Sequence, residues 1–69
     1  DLLVIEAGGQ LLPIEVKATA SPRLADCAHL RTFRAEYGSQ ARAGLLLHTG
    51  TNVEWLTADV LAAPWWRVL

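Results

Sequence analysis

Glu15 and Lys17 flank Val16 in the run Ile14-Glu15-Val16-Lys17. Alternate side chains of a strand share one face, so this carboxylate and ammonium stand together while Ile14 and Val16 point the other way. A second apolar run begins at Asp1. With Asp1 across from Glu15, one strand end would carry two carboxylates and an ammonium, a set able to hold a divalent cation and activate water for phosphodiester cleavage. The plainer alternative is a solvated Glu15–Lys17 pair with Asp1 elsewhere, since short patterns of this kind often match by accident.

The hairpin decides between them. Residues 1–6 and 10–17 are β-prone runs joined by Ala7-Gly8-Gly9, a glycine-containing connection that marks a hairpin. A two-residue Gly8-Gly9 turn would pair Ala7 with Gln10 and set Asp1 opposite Val16, on the wrong face. A three-residue loop with a bulge instead pairs Glu6 with Gln10, Val4 with Leu12, Leu2 with Ile14 and Asp1 with Glu15. The second register matches polar with polar and apolar with apolar, and is the one expected. It opposes two carboxylates, which calls for a cation or Lys17 between them.

The segments Asp1-Leu-Leu-Val-Ile-Glu6, Gly8-Gly9, Leu12-Pro-Ile-Glu15-Val-Lys17-Ala-Thr and Gly44-Leu-Leu-Leu-His48-Thr-Gly50 carry a resemblance. Together they resemble the D…(D/E)-x-K core of the PD-(D/E)XK nuclease superfamily, the restriction-endonuclease-like fold. More narrowly, nearly the whole chain is similar to a C-terminal domain of unknown function attached to bacterial and archaeal AAA-type ATPases. The resemblance implies Asp1 and Glu15 as ligands of Mg²⁺ or Mn²⁺ and Lys17 as the catalytic lysine. It also implies an upstream ATPase domain in the same polypeptide, and DNA or RNA as substrate. The residue before Asp1 and a further upstream acid, often found in the superfamily, fall outside this sequence.

Positioning these residues requires a small α/β domain. Ser21 and Pro22 read as N-cap and first helical residue, and Gly38 as a left-handed stop after a helix reaching Tyr37. Leu24, Cys27, Leu30, Phe33 and Tyr37 recur at three- and four-residue spacing, one apolar stripe for the sheet. Arg23, Arg31 and Arg34 lie largely off it and read as a solvated face, with Arg23 best placed for a phosphate. Residues 43–48 are nearly all apolar, which predicts a strand parallel to its neighbour. The right-handed crossover then brings Lys17 and His48 to the carboxyl edge, where ligands of open α/β sheets gather. His48 there either approaches the metal site or caps the strand.

Thr49-Gly50-Thr51-Asn52 predicts a turn and Val53-Glu54-Trp55-Leu56 a short antiparallel strand. The tail, with Trp65 and Trp66, reads as an edge strand or helical turn over the core. Stacking on bases is a weaker use of these tryptophans, because only Arg67 is near and such platforms normally line a basic groove.

Sixty-nine residues make one small domain, in which only about 60% of the unfolded surface is buried. The chain opens inside a strand without methionine and reads as the C-terminal part of a longer, ATPase-linked protein. The formal net charge of −1 supplies no global attraction to nucleic acid. The single Cys27 excludes an intrachain disulfide and suits a small buried hydrophobe. No run approaches the ~20 apolar residues of a membrane span, and cytoplasmic residence is the default. A 52% hydrophobic content and the tail tryptophans predict a two-fold homodimer. The function expected is metal-dependent binding or cleavage of nucleic acid, with the isolated 69 residues not cleaving alone. The competing class is a non-catalytic interaction or oligomerisation domain on the same fold.

Overall fold

The computed structural model describes residues 2–68, so the roles expected of Asp1 lie outside the described residues. The strands are β1 (Leu2–Ala7), β2 (Gln10–Val16), β3 (Gly44–His48), β4 (Glu54–Trp55) and β5 (Val60–Pro64). Between β2 and β3 run a 3₁₀ turn, Leu24–Cys27, and helix α1, Ala28–Tyr37. They form one five-stranded mixed sheet in the order β1-β2-β3-β5-β4. The parallel pairs are β2 with β3 and β3 with β5. The expected α/β class, with a hairpin, one crossover helix and a parallel strand, is what the chain adopts.

The hairpin register differs from the expected one. Ala7 pairs with Gln10, Ile5 with Leu12, Leu3 with Ile14 and Leu2 with Glu15. Gly8 and Gly9 both take positive φ, 58° and 81°, as a two-residue hairpin turn of the kind that matches strand twist requires. Glu6 Oε2 accepts the Gly9 N–H at 3.0 Å and reinforces the turn. Leu2, rather than Asp1, therefore stands opposite Glu15. Reasoning from cross-strand pairs alone missed that the charge of Glu15 is met from the helix, which frees the hairpin to follow its turn.

Two cross-sheet rows result. Leu2, Glu15, Leu46, Ala62 and Glu54 share one face, while Leu3, Ile14, Leu45, Leu61 and Trp55 share the other. Cys27 and Leu30 pack with Leu46, Val60 and Ala62 as the buried core, joined by the half-buried Leu2 and Leu56. The opposite row is apolar from edge to edge and leaves Leu3 and Trp55 exposed.

Several local expectations are corrected. The helix begins at Ala28 after a turn capped at Arg23, not at Ser21 and Pro22. The Arg23 N–H bonds Asp26 Oδ2 at 2.8 Å, so the acid supplied by Asp26 fixes this start. Leu24 and Tyr37, the ends of the predicted stripe, are exposed. Gly38 does end α1 with φ 57°, but its ψ of −126° lies outside the left-handed helical region. Arg34 is not solvated: its guanidinium bonds the Ala41 and Arg42 carbonyls at 2.9 Å and Asp59 Oδ2 at 3.2 Å. The tail strand β5 sits inside the sheet, and only the turn Trp65–Arg67 follows it, with both tryptophans about half exposed.

Candidate functional site at the carboxyl edge

β2 delivers Glu15 to the helix-covered face, where its side chain is 1% exposed. An isolated ionised carboxylate could not persist there without partners. His29, on the first turn of α1, supplies one: Nδ1 lies 2.8 Å from Glu15 Oε1. Burial opposes ionisation of Glu15, but the His29 hydrogen bond and nearby positive charge, Lys17 included, outweigh it and hold the carboxyl below its ordinary range. Donation from Nδ1 to the carboxylate leaves the lone pair of the neutral ring on Nε2. The His29 side chain is 70% exposed, so a buried acid is connected to an imidazole open to solvent.

Lys17 follows β2 on the same face, half-buried. Its backbone N–H bonds Leu47 O at 2.9 Å, extending the pairing of β2 with β3 beyond Val16. Thr49 N–H bonds Thr19 O at 2.9 Å, tying together the loops that leave these two strands. Gly50 sits directly against the Ala20 carbonyl, where a Cβ would collide with it.

His48 caps the strand, the second of its two expected roles. It is buried, its Nδ1 accepts the Gly50 N–H at 3.0 Å, and its Nε2 donates to Asn52 O at 3.0 Å. Both ring nitrogens are thereby occupied in holding the 49–52 turn. His29, by contrast, was missed by sequence reasoning. The available signal was its place on the turn of helix that a crossover must return over the carboxyl edge.

A divalent cation needs several such donors at once. Two ligand atoms at right angles on an ion with bonds of about 2.1 Å are about 3 Å apart. Glu15 Oε1 and His29 Nδ1, at 2.8 Å, have that spacing, but Nδ1 carries the proton it donates to Oε1 and could take an ion only by giving that hydrogen bond up. Among the described residues no group of three His, Cys, Asp or Glu side chains converges. Asp1, the other expected ligand, lies outside them.

The fold and site thus define a small α/β domain with a mixed sheet and a buried carboxylate paired to an exposed imidazole. The chain matches the family described as a domain of unknown function (DUF4143) over residues 1–68, and it belongs to that family. No curated protein and no solved structure matches it. No helix among the described residues is long and apolar enough to cross a membrane.

Proposed function

We propose that this domain is a metal-dependent nuclease-like module of the PD-(D/E)XK type, appended to an AAA-type ATPase and acting on nucleic acid. The observation that carries the reading is the ionised, buried Glu15 on one strand face with Lys17, beside the open imidazole of His29. Glu15 is the first candidate ligand for Mg²⁺ or Mn²⁺; the register found, with Leu2 opposite Glu15, is not the one that was expected to bring Asp1 to it, so the ion's remaining ligands are left unassigned. Such an ion, when bound, supplies Lewis-acid charge at the phosphodiester. Lys17 adds a fixed positive charge beside the phosphate, and His29 holds the Glu15 carboxylate in one orientation. The test is made on the full-length protein. Mn²⁺ should raise its melting temperature, because an ion that binds only the folded state stabilises it, and Glu15→Gln should abolish that gain. Lys17→Ala should leave folding intact and eliminate Mn²⁺-dependent cleavage of plasmid or RNA. Cleavage surviving both substitutions would point to another site.

A second reading, a non-catalytic module that joins two copies, is favoured by the apolar row Leu3, Ile14, Leu45, Leu61 and Trp55 and by the edge strand β1. Leu3, Val4 and Ile5 of β1 are all exposed, and β1 pairs only with β2. Absence of cleavage with either metal across varied substrates, together with loss of ATPase assembly when the domain is deleted, would establish this reading instead.

A further inference from the structure

On the far side of α1 from β1, Leu24, Arg31, Arg34, Leu56, Thr57 and Asp59 line a depression of about 440 Å³. Small-molecule sites commonly enclose about 300–1,000 Å³. It shares no lining residue with the carboxyl-edge site. Arg34 forms a rigid wall, because its hydrogen bonds to Ala41 and Arg42 and its ion pair with Asp59 fix the guanidinium. The charge of Asp59 is thereby already matched. Thr57 Oγ1 accepts the N–H groups of Asp59 and Val60 at 3.1 and 3.0 Å. With both lone pairs engaged, its hydroxyl hydrogen remains available as a donor.

Arg31 differs from Arg34 in having no carboxylate or carbonyl partner within the described residues. Its planar fork is matched to a carboxylate, which it can bind through two parallel hydrogen bonds. Leu24, 51% exposed, and the half-buried Leu56 add apolar surface to the same depression. One unmatched cation, one hydroxyl donor and two leucines describe a ligand with a charged head and an aliphatic body.

We infer that this depression binds a small aliphatic carboxylate, its head on Arg31 and Thr57 and its chain on Leu24 and Leu56. Amide chemical shifts of the full-length protein, titrated with hexanoate, 1-hexanol and acetate, test this directly. Hexanoate should perturb the amides of residues 24, 31 and 56–58, while acetate and 1-hexanol bind at least about tenfold more weakly, each lacking one half of the recognition. Arg31→Gln should weaken hexanoate by about tenfold or more, Arg31→Lys by less, and Arg67→Gln, on the closing turn, not at all. Equal binding of 1-hexanol, an unchanged affinity in Arg31→Gln with a native spectrum, or shifts centred elsewhere would overturn the assignment.

Discussion

His29 Nδ1 donates to Glu15 Oε1 across 2.8 Å, so a hydrogen bond between a solvent-facing ring and a sequestered carboxylate joins the helix to the sheet beside their apolar contacts. Removing the donor leaves a buried charge with less compensation than before. His29→Ala should cost about 1–3 kcal/mol, the usual penalty for depriving a buried polar group of its partner. Urea unfolding checks this, and His29→Asn, which keeps a donor, should recover part of the loss.

The same contact sets an acid limit on the fold. The carboxyl of Glu15 titrates lower in the folded chain than its ordinary 4.5, so ionisation favours the folded state. That stabilisation is fully present above the unfolded value and is lost as pH falls through the depressed folded value. Urea midpoints should therefore drop as the pH is taken from neutrality into the acid range below 4.5. Glu15→Gln should show a shallower dependence over the same window.

Glycine substitutions should separate steric from conformational cost. Gly50→Ala drives a methyl into the Ala20 carbonyl and to 3.2 Å from His48 Nδ1, and the backbone cannot yield as a side chain would. A loss of about 3 kcal/mol, the upper part of the overpacking range, is expected. Gly8→Ala meets no neighbour within 4 Å, leaving only the positive φ, worth about 1–2 kcal/mol. Reversing that order in thermal melts would contradict the packing of the 49–52 turn.

Cys27 should be inert in the folded chain. It is fully buried, burial raises its thiol pKa, the charge of Asp26 raises it further, and Arg31 offsets this only in part. Since the thiolate is the reactive form, a thiol-specific disulfide reagent should react no faster than the protein unfolds. Reaction in native buffer at the rate of a free thiol would show that α1 opens locally.

Association is testable at the open sheet face. A copy pairing through β1, or through the row from Leu3 to Trp55, should be disrupted by Ile5→Lys or Leu3→Lys, because a charge at such an edge opposes further pairing. Sedimentation should show a dimer in the unmutated protein at tens of micromolar, well above a ~1 μM dissociation constant, and a monomer in either variant.

Periodicity and punctuation made the sheet, the crossover and the parallel β3 legible, because apolar runs and glycines act locally. The register of β1 on β2 was not, since it depended on the backbone of Gly8-Gly9 and on a partner for Glu15 from another element. Glu15 and Lys17 fall on one face, as alternation requires, yet His29 emerged only when the helix was placed. Trp65 and Trp66 suggested a covering tail, but the five residues before the closing turn, Val60–Pro64, form the strand that the core needs. Arg34 looked like surface because its acceptors, Ala41, Arg42 and Asp59, are backbone and loop groups that carry no pattern.

The strand order has a consequence for assembly during synthesis. β3 takes β5 as its second neighbour, and β4 pairs only with β5. Until residues 60–64 leave the ribosome, β3 therefore presents an unpaired apolar flank and β4 has nothing to join. The β1–β2 hairpin, closed by two glycines, is complete first, and β3 can then join β2 on one side only. Because non-local pairings are slow and expose strand edges meanwhile, the nascent chain is most vulnerable to mispairing in the interval between emergence of β3 and arrival of β5.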